Sequence, residues 1–178
     1  MTTTHAPADP AGSMGDGVDI TVRSASGTGR TTLAAFDHAL IVAGVANFNL
    51  LTLSSVIPPG STVTLVEGAA HPVAGTHGDR LYCVLSSAYA VEPGQETWAG
   101  LGWALDPATG RGLFVEHAAA TEADLRRAIE HSLGDMVAHR GGGYGEVRTV
   151  VASATCVDQP VCALAVAAYE SAGWSPRV

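Results

Sequence analysis

Apolar and polar residues alternate along V-D-I-T-V-R from Val18, a period of two that predicts a half-buried strand, which runs into the loop S-A-S-G-T-G. Thr31 or Thr32 is placed to cap a helix carrying Leu33, Phe36, Leu40 and Ile41 on one face, with Gly44 near the C′ position. F-N-L-L-T-L-S-S-V-I reads as a strand closed abruptly by Pro58-Pro59-Gly60. S-T-V-T-L-V, R-L-Y-C-V-L-S-S-A-Y-A-V, T-W-A-G-L-G-W-A-L and G-L-F-V-E-H follow as strands, with a hairpin turn predicted at Asp106-Pro107 and Thr109-Gly110. A second helix opens at Thr121, where T-E-A-D is a capping box with Asp in the Glu/Gln place. Its stripe is Leu125, Ile129, Leu133, Met136 and Val137, and Gly141-Gly142-Gly143 stops it. V-R-T-V-V-A-S-A-T-C-V and V-C-A-L-A-V-A-A-Y, joined through D-Q-P, predict a closing hairpin.

Two amphipathic helices cannot cover both faces of a parallel sheet built from seven or so strands. The expected fold class is therefore α+β, with mainly antiparallel layers. Residues 1–17 are polar and rich in Gly and Pro with no apolar core, and are expected to form a disordered lead-in to a single domain over 18–178.

Charge and composition narrow the chemistry. The net charge is −8, and all nine basic residues are Arg. An acidic chain with dispersed arginines suits neither nucleic acid nor an anionic membrane, and it would attract a small cation. Without lysine, the chain can neither hold pyridoxal phosphate as a Schiff base nor build a P-loop. Cys83, Cys156 and Cys162 are too few and too scattered for zinc, and in apolar surroundings they read as buried free thiols of a reducing, cytoplasmic compartment. Only 15% of residues are charged, which favours self-association. No metal is expected.

The segment Asn49–Gly60 is the most informative. Ser54-Ser55 ends an apolar strand just before the rigid Pro-Pro-Gly turn. A tightly held peptide beside a serine hydroxyl can undergo N→O acyl shift, with Ser55 attacking the Ser54 carbonyl. Elimination and hydrolysis then leave a pyruvoyl group and ammonia. Two ordinary serines at a strand end remain the plain alternative, and the chain has a second such pair at Ser86-Ser87. Glu116 shares a strand face with Phe114, which would partly desolvate it and suit a proton donor; an exposed strand residue is the other reading. Asp37 falls within the apolar stripe of the first helix, where a carboxylate is normally paired, for instance with an Arg or His. Asn49 by itself is a strand-edge or turn amide.

The run F-D-H-A-L…A-G-V-A-N-F-N-L-L-T-L-S-S-V-I-P-P-G closely resembles the pyruvoyl-dependent arginine decarboxylase family. The likeness continues through G-L-F-V-E-H and T-E-A-D-L-R-R to C-A-L-A-V-A-A-Y, over about residues 18–170. It implies an αββα sandwich assembled as homotrimers with sites between subunits, and self-cleavage into residues 1–54 and 55–178. It also implies that Ser55 becomes the pyruvoyl group, Ser54 the new C-terminus, Asn49 an orienting residue, Glu116 the proton donor and Asp37 the receptor for a guanidinium. The implied reaction is decarboxylation of arginine to agmatine through a Schiff base to the pyruvoyl ketone. Ornithine, histidine or an unusual amino acid are alternative substrates, and an unprocessed oligomeric relative is an alternative of another kind. His117 and Ala118-Ala119 depart from the family pattern beside the implied site.

Overall fold

In the computed structural model, which describes residues 17–67 and 69–174, the first strand outlasts its alternating pattern. Strand β1 (Asp19–Thr28) continues through Ser24–Thr28, the stretch expected to be a loop. It does so because it pairs antiparallel with β9 (Val161–Ala172) from Thr21↔Ala168 to Thr28↔Val161. The expected lead-in lies outside the described residues except for Gly17. That residue presses so closely on Gly60 that a Cβ would stand 2.0 Å from its carbonyl carbon.

Helix α1 (Thr32–Ala43) is capped as the sequence suggested: Thr31 accepts from the Ala34 N–H and Gly44 closes the helix at φ 74°. Its buried face differs from the predicted stripe. Ala35, Ala39, Leu40 and Ala43 face the sheet, while Leu33 and Ile41 are 75% and 56% exposed. The cause is a close approach at Gly27, where a Cβ would come within 2.3 Å of the Ala35 oxygen and the Ala39 nitrogen. A helix seated that low admits only small side chains beneath it, so its bulky residues turn outward.

The remaining elements are β2 (Asn49–Thr52), β3 (Val56–Ile57), β4 (Thr62–Leu65), β5 (Arg80–Ala90), β6 (Glu96–Leu105), β7 (Gly112–Ala119), α2 (Glu122–His139) and β8 (Arg148–Thr155). The larger sheet has the order β2-β5-β9-β1-β4 and the smaller β3-β7-β6-β8. Only β1–β4 and β2–β5 pair in parallel. The fold is thus α+β with mainly antiparallel sheets, in four layers. One core lies between α1 and the outer face of the large sheet, with Leu81, Cys83, Leu164 and Val166. A second lies between the sheets around Val22, Leu101, Trp103 and Phe114. A third lies under α2, whose Leu125, Ile129 and Leu133 are fully buried as predicted. Here too a glycine lets the helix sit low, since a Cβ on Gly102 would meet Ile129 Cγ2 at 2.2 Å.

Two expectations from strand spacing fail. F-N-L-L-T-L-S-S-V-I is two short strands in different sheets, with the chain crossing between layers from Leu53 to Ser55. The last two strands form no hairpin: β8 pairs with β6 in the small sheet, whereas β9 lies in the middle of the large one. Their link turns a corner instead, with Cys156 hydrogen-bonded to Gln95 and Pro160 to Gly29. All three cysteines are buried and free, and burial pushes the Cys83 and Cys162 thiols up to about 11.

Candidate active site at the crossing between the sheets

Ser55 stands where the chain passes from one sheet to the other. It is the sole non-glycine residue at positive φ (71°) among the described residues, and it is 6% exposed. For a residue with a Cβ that conformation costs roughly 1–3 kcal/mol and persists only where the surroundings enforce it. Before it, the Leu53 N–H donates to the Cys83 carbonyl at 2.9 Å, and the other enforcing contacts follow it. The Ser55 carbonyl accepts the Phe114 N–H at 2.8 Å, and β3 pairs with β7 immediately afterwards. The carbonyl of Val56 accepts the Tyr169 hydroxyl at 3.2 Å. Further on, the Pro58-Pro59-Gly60 turn is bound to the β6–β7 turn by the Gly60 N–H on the Thr109 carbonyl at 2.8 Å. Asp106 organises that second turn, accepting the Ala108 N–H at 2.8 Å and Arg111 Nε at 3.2 Å. The Ala108 N–H first, then the Thr109 hydroxyl and the Arg111 charge, hold the Asp106 carboxyl below the usual carboxylate range.

The Ser55 hydroxyl donates to Glu116 Oε2 at 2.9 Å. Both residues line an open depression of about 310 Å³ with Ser54, His117, Ser132 and Met136. β7 delivers Glu116 there by carrying buried Phe114 in the inter-sheet core and continuing past the end of β3, which pairs only with Gly112 and Leu113. Glu116 itself is exposed in the single chain, so the partial burial expected from its shared face with Phe114 is not found; the core ends one pleat earlier. His117 points to the other face, where its Nε2 lies 2.8 Å from Ser132 Oγ on α2.

The other sequence-derived residues lie elsewhere. Asn49 is exposed at the edge of the large sheet, its amide donating to the Gly78 carbonyl at 2.6 Å. Asp37 is exposed on α1, one turn from outward-facing Leu33 on one side and Ile41 on the other. It belongs to the solvent face and not to the buried stripe, because the alanine face occupies the sheet. It forms no ion pair among the described residues, and neither it nor Asn49 lines the Ser55 depression. His38 is structural, with Nδ1 beside the Thr28 backbone.

A larger groove of about 460 Å³ lies beside Arg23, on the outer face of the large sheet. Its guanidinium is already engaged with the carbonyls of Ala43 and His71 and the Thr21 hydroxyl, so it braces the C-terminal end of α1. Ser55 and Glu116 lie in the smaller depression.

Tyr169 was not singled out by sequence reasoning. It is the extra residue of a β-bulge, since the partners of Tyr82 and Cys83 jump from Glu170 to Ala168. Its ring lies 6.1 Å from that of Phe114, which in turn lies 5.9 Å from Trp103. The T-y-r in C-A-L-A-V-A-A-Y reads as ordinary core, and only the bulge and the cross-sheet hydrogen bond reveal its place.

Fold and site together define an α+β sandwich with a strained serine–carboxylate centre between its two sheets. A family model described as pyruvoyl-dependent arginine decarboxylase matches residues 19–172. The chain is 44% identical over 100 residues to the pyruvoyl-dependent arginine decarboxylase of Halobacterium salinarum, a match spanning 56% of this chain and 59% of that protein. It is 30% identical over 146 residues to that of Thermococcus kodakarensis, spanning 82% of this chain and 90% of the relative. This chain belongs to the pyruvoyl-dependent arginine decarboxylase family. A solved pyruvoyl-dependent histidine decarboxylase aligns with 80% of this chain and 63% of its own at 15% identity and a TM-score of 0.40, too distant to inform the site.

Proposed function

We propose that this chain cuts itself between Ser54 and Ser55 and, with the pyruvoyl group so formed, decarboxylates an amino acid, with L-arginine giving agmatine and CO₂. The observation that carries the reading is the Ser55 hydroxyl on Glu116 at a backbone position of positive φ, within a chain of this family. Backbone strain next to the Ser54–Ser55 peptide is relieved when that bond breaks, which favours its rearrangement. The Ser55 oxygen adds to the Ser54 carbonyl carbon, the C–N bond breaks and the nitrogen takes up a proton. Loss of the α-hydrogen and of the ester oxygen then releases Ser54 as a carboxylate. Water replaces the residue 55 nitrogen, which leaves as ammonia.

The residues present fit the resulting group. Its amide carbonyl is already held by the Phe114 N–H, and a carboxyl stands within hydrogen-bond reach of its former side chain. The pyruvoyl ketone supplies the electron sink that lysine-bound pyridoxal phosphate supplies elsewhere. Glu116 delivers a proton to the substrate α-carbon after CO₂ departs. Asn49 orients the reacting groups, and Asp37 receives the guanidinium as a bidentate pair.

Because Asp37 and Asn49 do not line the Ser55 depression of their own chain, the complete site is one shared between neighbouring copies in a homotrimer. The exposed Leu33–Asp37–Ile41 row supports this, since a carboxylate flanked by large apolar side chains suits a covered face. A trimer would also bring Glu116 under cover. Three buried free thiols agree with a reducing cytoplasm. Intact mass spectrometry joined to an amine-release assay over arginine, ornithine and histidine tests the reading. Fragments 1–54 and 55–178 with agmatine release are expected; a single uncut chain that consumes no amino acid would overturn it.

A further inference from the structure

We infer that Tyr169 is a positioning residue for the self-cleavage, holding the peptide on the C-terminal side of Ser55 through its hydroxyl bond to the Val56 carbonyl. The inference rests on the reading of Ser55 given above and names a residue which that reading leaves out.

Positive φ at Ser55 requires that the chain be fixed on both sides of it; before it the Cys83 carbonyl holds the Leu53 N–H at 2.9 Å, and after it each sheet supplies one contact. Phe114 fixes the Ser55 carbonyl from the small sheet. Tyr169 fixes the next carbonyl from the large sheet, so the hydrogen bond spans the two layers at the point where the chain itself crosses. The β-bulge at Tyr169 supplies an extra residue in β9 beside this crossing, and the ring is seated against Phe114. Bulges of this kind re-aim a side chain next to a site. Without the phenol hydrogen, the Val56 peptide is held only by the small sheet, and Ser55 can relax more readily towards negative φ.

The phenol must stay protonated to donate. Burial, and next the Glu116 charge, push its ionisation well above the ordinary tyrosine range. Glu116 faces it from β7, while Asp19 and Arg23 on β1, His71 in the loop after β4 and Glu170 line the groove on its other flank. The hydroxyl is therefore a donor throughout the neutral range.

The test is the rate of self-cleavage of the full chain, followed by intact mass. Tyr169→Phe keeps the ring packing and removes one hydrogen bond, and cleavage is expected to slow about tenfold while still reaching completion. A rate within about twofold of the unaltered chain would overturn the inference. A ring-fluorinated tyrosine at position 169 keeps the donor but ionises at lower pH. Its cleavage rate should match the unaltered chain near neutrality and fall off earlier as pH rises. An unshifted alkaline limb would also count against Tyr169, even if the Phe variant failed to fold. If the unaltered chain never cleaves, the reading of Ser55 fails instead, which is a distinct result.

Discussion

Ser55 Oγ and Glu116 Oε2 are 2.9 Å apart, although the residues are 61 positions apart in the chain. The contact joins the one non-glycine residue of positive φ among those described to a carboxyl just past the buried stretch of β7. If that hydroxyl is the nucleophile, Ser55→Ala should remain a single 18.1 kDa chain on denaturing electrophoresis and release no amine above background.

Glu116→Gln separates the two stages. The carboxamide oxygen still accepts from Ser55, so the two fragments should form. The amide cannot deliver a proton, and decarboxylation per pyruvoyl group should fall by about 10²–10⁴-fold. Loss of cleavage in this variant would instead make the carboxylate part of the processing step.

Asp37→Asn should leave cleavage intact, because α1 packs on the far side of the large sheet from α2. Turnover of arginine should drop about 10²-fold through the lost charge-assisted bonds, with a smaller effect on substrates lacking a guanidinium. Mixing Asp37→Asn and Glu116→Gln chains by co-expression should recover part of the activity if neighbouring copies share a site. No recovery would argue for sites contained in one chain.

Acid should loosen the turn that backs the Ser-Ser segment. The folded Asp106 carboxyl lies below its ordinary value of 3.8, so its contribution is present above that value and is lost as pH falls through the lower folded one. The difference in Tm between the unaltered chain and Asp106→Asn should therefore be constant near neutrality and shrink below about pH 4.

The helix ends, the second helix stripe and the Asp106–Gly110 turn were legible because each is set by local chemistry: a capping hydroxyl, a glycine or a period of 3.6. The buried face of α1 was not, since Leu33 and Ile41 look like core until Gly27 and the alanines are seen drawing the helix down. Nor does a short D-Q-P link between apolar runs say whether two strands share a sheet or turn between layers. At the site, Ser54-Ser55 could be found from the rigid turn and the family motif. The exposure of Glu116 depends on how far β3 runs beside β7, and the place of Tyr169 on a bulge; neither is written in a local pattern.

The chain changes layers at Ser54–Ser55; of the elements before that point, β1 and β2 belong to the five-stranded sheet, where β1 is flanked by β9 and β4, and α1 packs on its outer face. A break there would remove a covalent tether without freeing either piece, for the shorter one stays laced into the longer by eight residue pairings from Thr21 to Thr28. The nick would go unseen in gel filtration and show only in detergent. It would also let residue 55 recoil from its former neighbour at the seam between the layers.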